Sequence, residues 1–180
     1  ESPSIVHAGD HVMINGDQGI NRKLFFNAIA GLWQGGSGTI ELPAGEEILF
    51  VPQVAYLPEG PLGSLLAYPQ PSSSFSDEDM AGALKHVGLE RLTARLSESG
   101  RWDRLLDKDE QMLLAFAGIL MRQPRWIVYQ EVLEGLEPDT ISTLVELMAG
   151  MPEFTHVYIG RSEAYLATLK PTLLHLEKMT

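Results

Sequence analysis

The sequence HVMINGDQGINRKLFFNAIAGL, residues 11–32, decides the fold class. Residues 11–15 form an apolar run that predicts a β-strand, and a glycine-containing loop follows it. In the last part, four apolar residues recur at the spacing of one helical face: Leu24, Ala28, Ile29 and Leu32. Because a strand, a loop and a helix follow one another here, and strands and helices alternate again downstream, the sequence predicts an α/β fold.

The rest of the chain continues this alternation. Further strands are predicted at residues 39–42, 48–51, 126–129, 156–159 and 173–176, and helices at residues 140–148 and 165–169. The first two of these strands flank a Pro-Ala-Gly turn, so we expect them to form a small antiparallel hairpin. Residues 58–76 are rich in Pro, Gly and Ser and predict a linker. A helical insert is expected over residues 76–123, with Ser76 as the cap of its first helix.

Composition excludes several classes of function. The chain has 24 acidic and 13 basic residues and a formal net charge of -11, so its overall charge does not attract nucleic acid or anionic lipid. It has no cysteine, which excludes disulfides, zinc–thiolate sites and thiol nucleophiles. The histidines show no pair at metal-ligand spacing, and we expect no metal site. No apolar run approaches the roughly 18 residues of a membrane span, and the first residues lack the features of a signal peptide.

The first chemical signal is the loop after the first strand, which has the sequence Gly16-Asp17-Gln18-Gly19-Ile20-Asn21-Arg22-Lys23. A glycine-rich loop that leads into a helix can bind phosphate, because its backbone amides and the helix dipole both favour an anion. The same glycines are also explained by a plain strand-to-helix turn that needs positive φ angles. The loop by itself leaves both interpretations open.

Longer phrases follow the loop in a fixed order: NAIAGLWQGGSGTIELP (27–43), LFVPQVAYLPEGPLGSLLAYP (49–69), FSDEDMAGALKHVGLERL (75–92) and LDKDEQMLLAFAGILMRQPRWIVYQEVLEGLEPDT (106–140). In order and spacing they resemble the nucleotide-binding domain of ATP-binding cassette (ABC) transporters. The local phrases look most like the branch fused behind a membrane domain, as in peroxisomal fatty-acyl and bacterial peptide or vitamin B12 exporters. The resemblance covers nearly all of residues 9–178.

The phosphate loop departs from the family pattern G-x-x-G-x-G-K-[ST]. Gly16 and Gly19 match its first two glycines, Asn21 replaces the last glycine, Arg22 replaces the phosphate-binding lysine, and Lys23 replaces the Ser/Thr that binds Mg²⁺. Gln130 stands at the Walker B aspartate, so both Mg²⁺ positions have lost their preferred ligand. These substitutions argue against Mg²⁺ as a cofactor. Two cations here could hold ATP or another polyanion without metal, or they could simply be solvated at the start of a helix.

The resemblance assigns further site residues outside the loop. Gln53 matches the glutamine of the Q-loop, Glu131 matches the catalytic glutamate that orients water, and Arg161 stands at the switch histidine. The family signature LS-x-G-E-Q corresponds here to Leu106, Asp107, Lys108, Asp109, Glu110 and Gln111. In the family, the serine and glycine of this motif close over the γ-phosphate bound by a second domain. Two carboxylates replace them here and oppose that closure, so we expect the isolated domain to be a monomer.

The resemblance implies a fold and a domain organisation. The fold is a P-loop NTPase core with a mostly parallel sheet, a small antiparallel β hairpin and an inserted α-helical subdomain. The corresponding division is residues 1–57 for the phosphate-loop half, 58–123 for the linker and helical subdomain, and 124–180 for the Walker B half.

The function implied is that of an ATP-binding domain that couples ATP binding to transport, with hydrolysis impaired or absent because phosphoryl transfer depends on positioning and charge. Its partners would be a membrane-spanning domain or subunit and a second nucleotide-binding domain, at the cytoplasmic face of a membrane, with no nucleic acid. An alternative is a noncatalytic pseudo-ATPase that keeps the fold only for regulation or protein contacts.

Overall fold

The structure is a computed structural model that describes residues 4–177. Its strands are β1 (His11–Gly16), β2 (Ile48–Val51), β3 (Gly60–Pro61), β4 (Ser99–Gly100), β5 (Trp126–Gln130), β6 (Thr155–Ile159) and β7 (Thr172–Leu176). Its α-helices are α1 (Arg22–Ile29), α2 (Leu62–Ala67), α3 (Asp77–His86), α4 (Trp102–Leu105), α5 (Lys108–Arg122), α6 (Pro138–Ala149) and α7 (Glu163–Leu169). Short 3₁₀ segments occur at Ser72–Ser74 and Glu90–Arg95.

Five strands form one sheet in the order β2-β5-β6-β1-β7, and every neighbouring pair is parallel. β6 and β7 lie on either side of β1, with Met13 opposite Tyr158 on one side and Leu173 on the other. Because the strands are parallel, their carboxyl ends lie along one edge of the sheet, where ligands bind in open α/β folds. The α/β fold with a mostly parallel sheet is therefore confirmed.

The chain divides into two compact units. The first consists of the residues up to 53, residues 124–134 and the residues from 145 on, and it contains the whole parallel sheet. Its core packs apolar side chains of β1, β5 and β6 against α1: Val12, Ile14, Phe26, Val128, Val157 and Ile159. The three-part domain division expected from the sequence remains a prediction.

The second unit consists of residues 54–123 and 135–144 and is mainly helical. α3 begins as predicted, because the Ser76 side chain accepts from the backbone N–H of Asp79 while the Asp79 carboxylate accepts from the backbone N–H of Ser76. Trp102 is fully buried, and its indole N–H donates to the carbonyl oxygen of Gly60 over 2.9 Å. This bond anchors α4 beside the antiparallel pair β3 and β4.

The antiparallel hairpin expected between residues 39–42 and 48–51 does not form, so this prediction is wrong. Residues 39–42 form no strand, and β2 pairs in parallel with β5. Ile40 and Leu42 are 49% and 46% exposed, so their alternation has no apolar surface to pack against within residues 4–177. The small antiparallel element of the fold is instead formed by β3 and β4, which lie about forty residues apart along the chain.

The linker expected over residues 58–76 is also wrong, because α2 lies within it. Leu62 and Leu66 are buried, and they lie one helical turn apart on the same face. A Cβ atom at Gly63 would lie 3.2 Å from the Met80 sulfur and 3.3 Å from the Leu96 carbonyl oxygen. The glycine that suggested a linker is therefore a point of close helix packing.

Candidate phosphate site

The carboxyl ends of four strands bring together the predicted site residues of the first unit. The loop of residues 16–23 follows β1, Gln53 follows β2, Gln130 and Glu131 lie at the end of β5, and Arg161 follows β6. The backbone N–H of Gln53 approaches the Gln130 side-chain oxygen at 3.5 Å, and the Gln130 amide donates to Glu131 Oε2 over 3.2 Å. Gln53 and Gln130, which follow or end the neighbouring strands β2 and β5, are thus adjacent at this edge of the sheet.

Several amides of the phosphate loop are bound within the protein. The N–H of Asp17 donates to the Leu176 carbonyl at 3.1 Å, the N–H of Ile20 to the Asp17 carbonyl at 3.2 Å, and the N–H of Arg22 to the Ile20 carbonyl at 3.1 Å. Asn21 caps α1, because its side-chain oxygen accepts from the N–H of Leu24 at 3.0 Å. In this conformation, these backbone donors are turned toward protein acceptors.

The central contact of the site is an ion pair between Arg22 and Glu131. The Arg22 Nη2 and Nε atoms lie 2.6 Å and 2.7 Å from Glu131 Oε1, and the two side chains are 24% and 17% exposed. Glu131 has a φ of +48°, which is uncommon for a residue other than glycine and directs the chain out of β5. The residue at the phosphate-lysine position and the residue at the catalytic-glutamate position thus neutralise each other.

Arg161 contacts the phosphate loop from the end of β6. Its guanidinium donates to the carbonyl oxygen of Gly16, and its backbone N–H donates to Glu134 Oε1 over 2.9 Å. The Tyr158 hydroxyl donates to the other oxygen of Glu134. Burial raises the pKa of the Glu134 carboxyl above its usual value, although both hydrogen bonds act in the opposite direction. Arg161 therefore connects the phosphate loop to Glu134, and its assignment to the switch position stays a prediction.

Two residues of this unit were missed by sequence reasoning. Glu134 stands within the phrase of residues 106–140 without an assigned role. Its carboxylate accepts hydrogen bonds from the Tyr158 hydroxyl and the Arg161 backbone N–H. His175 lies on β7 with Nε2 at 2.9 Å from Asp17 Oδ1 and Nδ1 at 2.8 Å from Asn15 Oδ1. No local pattern marks either residue, because their partners come from strands that are distant in sequence.

The remaining loop residues are accessible. Gln18, Gly19, Asn21 and Lys23 are exposed, and Gly19 has a φ of +92°, which a residue with a Cβ rarely adopts. Lys23 thus keeps its ammonium group in solvent at the start of α1 in this conformation.

The signature residues lie in the second unit and are bound within it. Asp107 caps α5 by accepting from the N–H of Glu110, and the Glu110 carboxylate accepts from the N–H of Asp107. Asp109 accepts from the backbone N–H of Glu137, with N–O distances of 2.9 Å and 3.3 Å. Lys108 reaches the Gly135 carbonyl at 3.4 Å, and the Gln111 amide donates to the carbonyls of Asp103 and Leu106. Each replaced signature residue therefore has a structural role.

The site does not fit Mg²⁺. Lys23 offers an ammonium where a hydroxyl would bind the ion, and the amide of Gln130 already binds Glu131 and the Gln53 backbone. Among residues 4–177, no three His, Asp or Glu side chains are grouped so that they could hold a metal ion. The cationic side chains do fit an anion, since Arg22 is already paired with a carboxylate.

None of the α-helices described here could cross a bilayer: within residues 4–177 the longest has 15 residues, and none combines the necessary length with sufficient apolarity.

The chain is similar to proteins of one family. It is 32% identical over 149 residues to an uncharacterised ABC transporter ATP-binding protein of Synechocystis sp., which aligns with 81% of this chain and 22% of that protein. It is 29% identical over 172 residues to a similar protein of Haemophilus influenzae, with 95% of this chain and 28% of the relative covered. The mouse lysosomal cobalamin transporter ABCD4 is 27% identical over 152 residues and aligns with 77% of this chain and 25% of its own length.

The fold is that of a solved transporter structure, a bacterial Atm1-family ABC exporter with ATP bound. The TM-score is 0.74 at 19% identity, and the match covers 94% of this chain and 32% of the exporter chain. No protein-family model matches the sequence. The chain spans about a quarter of the length of the curated relatives it matches. By its sequence relatives, this chain belongs to the family of ABC transporter ATP-binding proteins.

Proposed function

We propose that this chain is the ATP-binding domain of an ABC transporter in which ATP hydrolysis is impaired or absent. The observation that carries the proposal is the Arg22–Glu131 ion pair, with its shortest N–O distance at 2.6 Å. A general base for water needs its carboxylate free to accept a proton or to orient the attacking molecule. Here that carboxylate is bound on one oxygen by Arg22 and on the other by Gln130.

The charge arrangement supports retention of a nucleotide without efficient turnover. Arg22 and Lys23 place two cations at the start of α1, whereas the metal-binding positions carry groups that do not suit Mg²⁺. Since phosphoryl transfer relies on positioned charge, loss of the metal positions removes a large part of the rate acceleration. Binding energy from the polyphosphate can still drive a conformational change, because such coupling requires differential affinity and not hydrolysis.

The relatives named as transporters indicate the setting of the function. By this proposal, the domain works at the cytoplasmic face of a membrane, joined to a membrane-spanning domain or subunit and facing a second nucleotide-binding domain. Isolated from them, the chain is expected to be monomeric, because Asp107 and Asp109 place negative charge where a γ-phosphate would dock.

The test is a calorimetric titration of the 180-residue chain with ATP, in Mg²⁺ and in EDTA, beside an assay of phosphate release. We expect binding in the millimolar range or tighter in both buffers, with phosphate release close to that of a buffer blank. Strong binding only with Mg²⁺, together with rapid turnover, would overturn the proposed impairment. Failure to bind in either buffer would overturn nucleotide binding itself.

A second candidate is a noncatalytic module that keeps the fold for protein contacts. The observation favouring it is that the N–H groups of Asp17, Ile20 and Arg22 already bind carbonyl oxygens of the protein. If these bonds persist at saturating ATP, as followed by amide hydrogen exchange, the loop does not act as a phosphate cradle. A change in the exchange protection of these loop amides when ATP is added would favour the ATP-binding domain.

A further inference from the structure

The Arg22–Glu131 pair has the features of a competing internal ligand. The two Arg22 nitrogens nearest to Glu131 meet the same carboxylate oxygen, at 2.6 Å and 2.7 Å. Both side chains are less than a quarter exposed, so water screens the pair less than it screens a surface salt bridge. A carboxylate in this place satisfies the guanidinium as a phosphate oxygen would.

The backbone around Glu131 holds the carboxylate in this place. Glu131 is in the left-handed region with φ at +48°, and its N–H donates to the Ile159 carbonyl at 2.9 Å. Its second carboxylate oxygen accepts from the Gln130 amide at 3.2 Å. A neutral amide at residue 130 can donate this bond, whereas an ionised aspartate there would repel the carboxylate. Gln130 therefore favours the position in which Glu131 reaches Arg22.

We propose that Glu131 is an autoinhibitory latch on a metal-independent polyphosphate site. In the absence of ligand, the Glu131 carboxylate binds the guanidinium of Arg22. A polyphosphate without a bound metal ion must displace this carboxylate before the loop can bind the polyphosphate. This inference rests on the proposed function, because it assumes that the loop binds the phosphate chain of a nucleotide. As a consequence, the loop binds polyphosphate more weakly, because part of the binding free energy is needed to open the ion pair.

The prediction is tested with inorganic tripolyphosphate in EDTA, because this probe excludes the contributions of adenine, metal and hydrolysis. Glu131→Gln removes the latch charge, and we expect it to bind tripolyphosphate at least tenfold more tightly than the unchanged chain. Glu131→Asp keeps the charge but shortens the side chain, so it loosens the contact and should lie between the two. The Asp variant thereby separates the contact itself from the general effect of removing a negative charge.

The matched control is Glu46→Gln. Glu46 also belongs to the first unit and also binds an arginine, with its Oε1 at 3.4 Å from Arg125 Nη1. It contacts the indole of Trp126 at the amino end of β5, whereas Glu131 follows the carboxyl end of the same strand. This control should bind tripolyphosphate like the unchanged chain.

Nuclear magnetic resonance of the unchanged chain gives a second readout that does not depend on the variants folding. The side-chain Nε–H of Arg22 should show slow solvent exchange before ligand is added, and its signal should shift as tripolyphosphate saturates the chain. The carboxyl carbon of Glu131 should shift in the same titration, because its partner is lost.

The outcomes separate the latch from the proposed function. If the unchanged chain and Glu131→Gln bind tripolyphosphate and ATP equally well, the latch is overturned and nucleotide binding stands. A gain of equal size in Glu46→Gln also overturns the latch. If no variant binds tripolyphosphate or ATP, both the latch and the proposed function fail.

Discussion

Asp109 and the backbone N–H of Glu137 are joined by a hydrogen bond of 2.9 Å that connects the start of α5 to the residue before α6. Glu137 precedes Pro138, the first residue of α6, so this N–H lies at the end of the helix where backbone donors are left without intrahelical acceptors. The carboxylate that replaces the glycine of the signature motif therefore stabilises the second unit.

Asp109→Gly, which restores the family residue, should lower the free energy of unfolding. The variant loses a charge-assisted hydrogen bond and places glycine in the first turn of α5, for a total of about 1 to 2 kcal/mol. Urea denaturation measures the change. Asp139→Gly is the matched control, because Asp139 holds the same second position in α6, and it should cost only the helix propensity of about 1 kcal/mol or less. Equal losses in both variants would contradict the structural role.

Stability should fall between about pH 6.5 and pH 4 because of His156. Its Nε2–H donates to the Met151 carbonyl at 3.0 Å, its Nδ1 accepts from the Tyr129 hydroxyl at 3.0 Å, and burial lowers its pKa from 6.5 to about 4. The unfolded chain therefore binds a proton that the folded chain does not. Neutral His156 therefore contributes about 3 kcal/mol to the free energy of unfolding. This contribution is fully present above pH 6.5 and decreases as the pH falls toward 4.

The measurement is urea denaturation from pH 7.5 to pH 4, compared with His156→Gln. The variant should be less stable at pH 7.5 but should show a smaller loss of stability on acidification. His86→Gln is the control, since His86 is exposed on α3 and should leave the pH profile unchanged. An unaltered profile in His156→Gln would show that other groups cause the acid sensitivity.

Gly160→Ala should be strongly destabilising. A Cβ atom at this position would lie 2.5 Å from Glu134 Oε1 and 2.8 Å from Tyr158 Cε1, and Glu134 Oε1 is the atom that accepts from the Arg161 backbone N–H. Overpacking and loss of the Glu134 hydrogen bonds together should cost about 2 to 4 kcal/mol, measured by chemical denaturation. Gly82→Ala is the contrasting variant: the added methyl meets nothing within 4 Å in α3, so we expect a gain of about 0.5 to 1 kcal/mol. A neutral Gly160→Ala would contradict the packing.

The double variant Lys23→Ser and Gln130→Asp should make nucleotide binding dependent on Mg²⁺. It supplies a hydroxyl and a carboxylate at the two positions that now lack oxygen ligands suited to this ion. We expect the ratio of ATP affinities in Mg²⁺ and in EDTA to rise at least tenfold over that of the unchanged chain, as measured by calorimetry. Each single variant serves as a control and should give a smaller change. No change in the ratio would mean that other residues determine the metal response.

The predicted elements that are confirmed depend on local patterns. The strand of residues 11–15, the strand of 126–129 and the helix of 140–148 are each marked by apolar periodicity within one short window. The Ser76 cap is equally local, since the hydroxyl and the amide that it binds are three residues apart. Such signals need no knowledge of which strands become neighbours.

The errors arise where packing partners decide the outcome. Residues 39–42 alternate like a strand, but a strand needs a partner. Their expected partner, β2, pairs with β5 instead. Residues 58–76 resemble a linker by composition, but Leu62 and Leu66 within them bury one helical face in the second unit. In both cases the surroundings outweighed local preference.

The sequence by itself determined the strands of residues 11–15 and 126–129, the helix of residues 140–148 and the Ser76 cap, because these depend on residue type and short-range spacing. Only the tertiary structure decided the partners of the charged side chains. Arg22 and Glu131 follow β1 and β5, which are separated by β6 in the sheet, and the strand order brings their loops together. An ion pair between residues 109 positions apart requires long-range chain closure, which no local pattern encodes.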